Sequence, residues 1–477
     1  MPVSDPQAPS PAQLPRALGL LAAALLLATP AGAQTLQEAL AATYANNPTL
    51  RSARAQLRVV DENVPQALAG WRPTVSLSTS YGTVFDSNVR SRVTGANGRQ
   101  FGSYSDVNRD PFSAQATVSQ PLYRGGRTRA QTRRAENQVL AQRARVLGAE
   151  QQALGDAISA YVQVIRFQEE VRLNVNNVQV LNRQLEATNE RFRVGEITRT
   201  DVAQAESRRA GARATRADSE GSLQSARATF QRVIGIAPTR LSAPQPLTAA
   251  ARTAEEAAAS AAANNPAVVA ALFDEASARD QIDVQVAALL PQASLNATSF
   301  RNDNSSSPGN RITGEQLTAT LTVPLYQGGA EYSAVRQARQ DAVRLRSVVD
   351  DQRRTAISQA TSAWETLASN RAQVESVRAQ IRAAEIALDG VQREAIVGSR
   401  TTLDVLNAEQ ELLTARVSLV RALANVVTAS HSLAASIGRL TAQDLALPVQ
   451  AYDMTEYYGA VRNRWVGFSD PTATAGR

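Results

Sequence analysis

The chain of 477 residues contains two copies of one pattern of residues. Matching residues lie 218 positions apart in the first part of each copy and 203 positions apart in the rest. The matches include Asn46-Asn47-Pro48 with Asn264-Asn265-Pro266, Pro73 with Pro291, Pro121-Leu122-Tyr123 with Pro324-Leu325-Tyr326, and Gly195 with Gly398. The spacing changes once, between Pro73 and Pro121, so that stretch is 15 residues longer in the first copy. Such a repeat indicates a duplicated structural unit.

The composition excludes several classes of function. The chain has no Cys, which excludes disulfides, thiolate metal sites and cysteine nucleophiles. Its single His, His431, corresponds to Ala228 in the first copy, so the shared plan does not use it. The formal net charge is +7, but the basic residues are scattered along the chain with acidic residues among them. No nucleic-acid-binding motif accompanies them. We therefore expect no metal, no cofactor and no nucleic-acid partner.

The N-terminus has the pattern of a secretory signal peptide over residues 1–33. Arg16 precedes the apolar run Ala17–Ala28, and Ala31-Gly32-Ala33 fits a cleavage site of small residues. The apolar run is too short to cross a bilayer as a helix. We expect an exported chain whose mature form begins near Gln34.

Each copy contains two segments in which apolar and polar residues alternate. They are residues 74–82 and 112–122 in the first copy, and 292–300 and 316–326 in the second. Their polar positions carry Ser, Thr, Gln and Asn with almost no charge. Strands of this length with one apolar, uncharged face are typical of transmembrane barrels. Residues 82–111 and 300–315 are predicted to be outward-facing loops.

A long helical tract follows the strands of each copy. No Pro occurs between Pro121 and Pro238, or between Pro324 and Pro448. Apolar residues recur there at steps of three and four, which is typical of a coiled coil. Gly195 and Gly398 interrupt the tracts, and cap residues follow, so residues 127–234 and 330–437 are predicted to be helical hairpins. The first arm, from Arg127 to Arg193, would be about 100 Å long.

These segments predict an α+β membrane protein with a fixed order of parts. After the signal peptide come a first repeat (34–235), a linker (236–252), a second repeat (253–438) and a C-terminal segment (439–477). Four strands per chain cannot close a barrel, and an open sheet edge is not tolerated in lipid. Two copies would give eight strands and three would give twelve, and twelve strands leave a lumen. We expect three copies to share one barrel.

The whole mature chain resembles the TolC-type outer-membrane factor family. The resemblance is most specific in the two hairpin tips, residues 193–202 and 396–406. It implies a homotrimer with a 12-stranded barrel in the outer-membrane lipid and a periplasmic helical tunnel. It also implies a periplasmic adaptor, an inner-membrane pump (ABC or proton-driven), and a passive exit duct for efflux or type I secretion rather than an enzyme.

The resemblance also assigns roles to residues at the tips and at the base of the strands. The periplasmic gate candidates are Thr200, Asp201 and Arg400, and the tunnel constriction candidates are Asp404 and Asn407. A family tyrosine falls on Ala395, and Asn407 replaces a second carboxylate, which implies a weaker latch and a less acidic constriction. Residues expected at adaptor contacts are Gly195, Val202, Gly398, Val405 and Leu406. Those at the strand-to-helix transition are Tyr123, Gly125, Gly126, Tyr326, Gly328 and Gly329.

Two alternatives remain open at this point. Asp201 and Asp404 both follow a helix break, so each could be an ordinary charge at a helix N-terminus. For the chain as a whole, the competing hypothesis is a structural coiled-coil protein of the cell envelope. The strand pairs at matched positions argue against it, because a scaffold does not need them.

Overall fold

The computed structural model describes residues 34–94, 96–248, 251–306 and 308–469, so the predicted signal peptide lies outside the described residues. The helices of the first half are α1 (Leu36–Asn46), α2 (Pro48–Asp61), α3 (Asn63–Leu68), α4 (Arg127–Arg193) and α5 (Arg199–Ile234). Those of the second half are α6 (Ala254–Asn264), α7 (Pro266–Val286), α8 (Ala330–Ile396), α9 (Thr402–Ser436) and α10 (Glu456–Val461). The strands are β1 (Thr74–Tyr81), β2 (Val84–Thr94), β3 (Gln100–Arg109), β4 (Phe112–Arg124), β5 (Gln292–Asp303) and β6 (Arg311–Thr322).

Four of the strands form one antiparallel sheet in the order β1-β4-β5-β6. The register aligns the alternation across all four strands. Val75, Val118, Ala297 and Leu317 form one row of opposite residues, and the next row is Ser76, Thr117, Thr298 and Gln316. Because opposite residues share a face, the helix-side half of the sheet has one apolar face and one polar, uncharged face, and charged residues such as Arg301 and Glu315 join the apolar face only towards the far end. This two-faced sheet confirms the predicted α+β class.

The prediction of a long loop over residues 82–111 is wrong. This stretch contains β2 and β3, which pair with each other and extend β1 and β4 as a hairpin. The polar composition concealed these strands, although Asn97-Gly98, at the tip, is a strong hairpin signal. The second predicted loop also shortens to residues 304–310 because β5 and β6 are longer than expected.

The main sheet ends at the paired residues Phe112 and Asp303, and β2 and β3 continue past this level. The 11 residues of β2 correspond to about 35 Å at the rise of a strand. The hairpin therefore projects well beyond the four-stranded sheet.

The repeated asparagine Asn47 joins the end of one helix to the start of the next. Its Oδ1 accepts hydrogen bonds from the backbone N–H groups of Thr49 and Leu50, which caps α2. Its Nδ2 donates to the carbonyl of Val233, near the end of α5, at 3.3 Å. The side chain therefore satisfies groups at both helix ends, which otherwise lack partners.

Asn265 has the same function in the second copy. Its Oδ1 accepts from the N–H of Ala267 in α7, and its Nδ2 donates to the carbonyl of Ser436 in α9 at 3.1 Å. A Cβ on Gly438 (φ +83°) would lie 2.5 Å from the carbonyl oxygen of Asn264, so this close approach requires glycine. Two shorter helices thereby stack end to end beside each long helix.

A second layer packs against the middle of the long helices. It consists of α1, α6, residues 236–248 and residues 439–469 of the C-terminal segment. Tyr161 of α4 is fully buried there, and its hydroxyl lies 2.7 Å from the carbonyl oxygen of Ser242. The guanidinium of Arg54 lies between the rings of Tyr44 and Tyr452, at 4.4 and 5.0 Å. These contacts attach the linker and the C-terminal segment to the first repeat.

Among the described helices, α9 alone is long and apolar enough to cross a membrane by length and composition. Leu406, Ala422 and Leu433 of this helix are buried against neighbouring helices. Of the apolar stretch that meets this criterion, 33% is buried within one chain.

The asparagine contacts predict a graded loss of stability. Asn265→Ser retains a capping oxygen but cannot reach the carbonyl of Ser436, whereas Asn265→Ala loses both contacts. We expect Asn265→Ser to lower the free energy of unfolding by about 1 kcal/mol and Asn265→Ala by about 2 kcal/mol. The apparent thermal midpoint of the purified protein should fall in the same order. The same pair at Asn47 is the matched control and should show the same order. Equal midpoints for the Ser and Ala variants would contradict the two-ended role.

Candidate functional site at the hairpin tips

Both hairpins turn through a glycine in the left-handed conformation. Gly195 has φ +80° and Gly398 has φ +81°, a conformation that residues with a Cβ rarely adopt. The N–H of Glu196 donates to the carbonyl of Arg191, and the N–H of Ser399 donates to that of Glu394. These bonds satisfy the last carbonyls of α4 and α8 and fix the two tips in the same geometry.

Each returning helix begins with a capping box. The Thr198 hydroxyl oxygen accepts from the N–H of Asp201, whose carboxylate accepts from the N–H of Thr198, and Thr401 and Asp404 repeat the arrangement. Hydrogen bonds from the Thr401 N–H and hydroxyl lower the pKa of Asp404, and Arg400 lowers it further. The pKa of Asp201 is lowered by the same kind of bonds from Thr198. Both aspartates are therefore ionised caps at neutral pH.

The basic residues of the tips bind acidic residues of their own hairpin. Arg400 Nε lies 2.8 Å from a carboxylate oxygen of Glu394, and Arg191 lies 2.5 Å from Glu196. The hydrogen bond that Arg400 donates to the Glu394 carboxylate raises the pKa of Arg400. Thr200 is exposed on the first turn of α5. Within one chain, the gate candidates Thr200, Asp201 and Arg400 thus lie on two separate tips.

A contact between the two hairpins lies just above the tips. Arg208 of α5 donates from Nη2 to Oδ1 of Asn407 in α9 at 2.8 Å. Beside it, Leu406 is 2% exposed and packs in a cluster with Val178, Leu181 and Ala212 of the first hairpin. Arg208 was not among the sequence candidates, because it lies 199 positions from Asn407 and no spacing rule connects them. Asn407 is thus a hydrogen-bond acceptor for the other hairpin.

The predicted adaptor contacts at Val405 and Leu406 need correction. Both side chains are buried within the protein because they face the neighbouring helices rather than solvent. Val202 is half-buried, while Gly195 and Gly398 are exposed at the turns. The most exposed apolar side chains of the tips are instead Val194, Ile396 and Val397. All three lie within the tip segments 193–202 and 396–406, in which the resemblance is most specific.

The strand-to-helix residues lie between the sheet and the long helices. Tyr123 belongs to β4 and Tyr326 follows β6, and both rings are exposed. Gly126 and Gly329 are the N-cap residues of α4 and α8, with φ +81° and +84°. Gly125 and Gly328 also have positive φ. Paired glycines therefore turn the chain from strand to helix in both copies.

Within the described part of the chain, no group of three or more His, Asp or Glu residues could hold a metal ion. His431 is buried, and its Nδ1 lies 2.8 Å from the carbonyl oxygen of Val427 in its own helix. Burial lowers the pKa of this histidine. It is a neutral packing residue of α9.

Comparisons with known proteins agree with this architecture. The family model described as outer membrane efflux protein matches residues 37–236 and 257–439. The outer membrane efflux protein BepC of Brucella suis is 35% identical over 466 residues, which cover 96% of this chain and 97% of BepC. The outer membrane protein TolC of Escherichia coli is 23% identical over 436 residues, covering 87% and 84%. The solved CmeC outer membrane channel of Campylobacter jejuni has a TM-score of 0.73 at 14% identity, covering 90% of this chain and 89% of that chain.

The tip geometry predicts opposite effects of two glycine substitutions. Gly398→Ala places a Cβ in the left-handed conformation, which costs about 1 kcal/mol. Gly390→Ala lies in the interior of α8 with open space around its Cβ, and should stabilise the helix by roughly 0.5–1 kcal/mol. Limited trypsin digestion reports local opening of the turn, because Arg393 and Arg400 flank it. Gly398→Ala should be cleaved there faster than the wild type, and Gly390→Ala no faster. Equal cleavage of all three proteins would contradict the assigned turn.

Proposed function

This chain belongs to the outer membrane efflux protein family, and we propose that three copies of it assemble into a single exit duct. The protein is an outer-membrane channel of the kind that serves efflux and type I secretion in Gram-negative bacteria. The trimer, its partners and the roles of individual residues are the parts proposed here.

The unpaired edges of the sheet are the main support for assembly. Strands β1 and β6 have no neighbour on their outer sides in the described chain, and both are exposed along almost their whole length. Unpaired backbone groups cost several kcal/mol each in hydrocarbon. Pairing β1 of one copy with β6 of the next removes these edges. Three copies give twelve strands and a lumen, whereas two give eight strands and a filled interior.

The long helices support the same assembly. Helix α8 is much more exposed than α4, although both have 67 residues. Its buried residues, such as Val374, Val377 and Ala384, form a single stripe towards α9, while Val343 and Ile386 are exposed on its other sides. In a trimer, α8 of one copy packs against α5 of the next and closes a helical tube.

The duct itself acts as a passive conduit without catalysis. The transport step then requires an energy source elsewhere, supplied by an inner-membrane pump and coupled through a periplasmic adaptor. The exposed apolar side chains of Val194, Ile396 and Val397 form the surface on which such an adaptor docks. Apolar side chains at a solvent-exposed tip are a typical partner-binding feature.

We place the closed-state contacts at two levels of the tips. Arg208, Asn407 and Leu406 hold the two hairpins of one chain together. Asp404 of three chains forms one ring of carboxylates, and Asn407 adds no second ring. Thr200, Asp201 and Arg400 then engage between neighbouring tips in the trimer. Dilation of the tips separates these contacts and opens the tube.

The decisive experiment measures assembly and conduction together. Outer-membrane extracts should contain trimers that resist dissociation in detergent, and purified trimers should form channels in planar bilayers. A purified monomer that stays water-soluble without detergent would contradict the proposal. Trimers without channel activity would favour the structural coiled-coil alternative.

Arg208→Ser should loosen the closed state. The variant loses one exposed hydrogen bond between hairpins in each copy, worth about 0.5 kcal/mol, and three such losses shift the opening equilibrium roughly tenfold. Planar-bilayer recordings should show more frequent or longer openings. Arg213→Ser removes the same charge from an exposed position on the same helix and serves as control. Identical recordings for the two variants would remove Arg208 from the closed-state contacts.

A further inference from the structure

The end of the described chain displays three large apolar side chains to solvent. Trp465 is 65% exposed, Val466 is 86% exposed and Phe468 is 109% exposed relative to an extended reference. They lie within residues 465–468, near the end of the described part of the C-terminal segment, which packs on α2 and α4. Exposed apolar side chains in such a cluster indicate a surface that binds something apolar.

This cluster belongs to a turn that is held by hydrogen bonds and comprises residues 464–469, here named the C-terminal turn. The Arg464 guanidinium donates to the carbonyl of Val466 at 3.2 Å, to the carbonyl of Ser469 at 2.5 Å and to the Ser469 hydroxyl at 2.8 Å. Gly467 has φ +113°, and a Cβ there would lie 2.6 Å from Arg464 Nη2. The turn therefore wraps its polar backbone around one arginine and leaves Val466 and Phe468 outside.

A second arginine fixes the position of the C-terminal turn on the fold. Arg72 donates from Nη1 to the carbonyl of Arg464 at 2.7 Å, and its guanidinium lies 4.8 Å from the Trp465 ring. Arg72 is two residues before Thr74, where β1 begins. The preceding residue, Trp71, is also exposed, and its carbonyl accepts from Gln120 of β4. The turn therefore lies at the helix-side end of the four-stranded sheet.

We infer that the C-terminal turn is an interfacial anchor that inserts Trp465, Val466 and Phe468 into the periplasmic leaflet of the outer membrane. The inference rests on the proposed membrane-spanning barrel, because that barrel places the helix-side end of the sheet at the periplasmic headgroup level. Trp rings favour this level, and Val and Phe side chains gain free energy by entering the acyl boundary.

The surroundings of the turn favour lipid over other occupants. The layer that carries it must lie outside the helical tube, because the inside stays open for cargo. The apolar row of the sheet begins on the same edge strand, with Val75 and Leu77 exposed directly above Arg72. The turn therefore continues the apolar surface of the barrel to the level of the headgroups.

The three tryptophans of the chain provide internal probes. Trp71 precedes β1, Trp364 is partly buried in α8, and Trp465 is in the C-terminal turn. Three variants, each keeping one Trp and replacing the other two with Phe, would be purified as trimers. Each would be reconstituted into phosphatidylcholine vesicles with or without bromine on the upper acyl chain. Bromine quenches the emission of a Trp that it contacts.

We expect the brominated lipid to reduce the emission of the Trp465 protein about twofold, because an interfacial helix or turn lies about 5–10 Å into the boundary. The Trp71 protein should be quenched as well, and the Trp364 protein should not. Adding Val466→Ser and Phe468→Ser to the Trp465 protein should remove most of the quenching. Adding Phe192→Ser, at an exposed tip position far from the membrane, should leave it unchanged.

An unquenched Trp465 overturns the inference. If Trp71 is quenched and Trp465 is not, the barrel is inserted and only the anchor fails. If neither is quenched, the proposed membrane-spanning barrel fails too. If Trp465 is shielded from both brominated lipid and aqueous acrylamide, a neighbouring protein chain covers the turn, which also overturns the lipid assignment.

Discussion

Unsatisfied backbone groups at the edges of the sheet constrain everything else in this structure. In water, the outer N–H and C=O groups of β1 and β6 could bond to solvent, but in a bilayer they have no such partner. Closure of the sheet is therefore a condition for membrane insertion, and one chain has too few strands to achieve it. The same constraint extends to the helices, because the long arms continue directly from the strands. A barrel shared among chains requires a helical tube that is shared in the same way.

The duplicated asparagines show how a chain can build a tube wall from helices of unequal length. Each wall contains arms of 67 residues beside shorter helices, which must meet end to end to reach the same height. Helix ends carry unpaired donors on one side of the junction and unpaired acceptors on the other. Asn47 and Asn265 present an acceptor to one end and a donor to the other. Serine and threonine, which also cap helices well, offer both on one oxygen, whereas asparagine carries the acceptor and the donor on separate atoms that can reach two helix ends.

The sequence predicted most of the fold because its strongest signals are local. The absence of proline, the steps of three and four, and a single glycine place the arm Arg127–Arg193 at the observed bounds. The four alternating segments correspond to β1, β4, β5 and β6. The β2–β3 hairpin was missed because its polar composition resembles that of a loop, although its turn carries Asn97-Gly98. The Arg208–Asn407 contact was not predictable, because the relative rotation of two distant helices decides it.

The two turns are alike in backbone and differ in the residues that follow the glycine, and this has a consequence for the symmetry of the assembly. Both long arms have the same length, so a trimer ends in six turns at one level, close to a sixfold ring. The first kind of turn carries Glu196 and Ile197 where the second carries Ser399 and Arg400. Around the ring, turns in which Glu196 pairs with Arg191 would therefore alternate one by one with turns in which Arg400 pairs with Glu394, three of each kind. A partner with six equivalent subunits would fit the shape at every position but would meet two chemically different neighbours in turn.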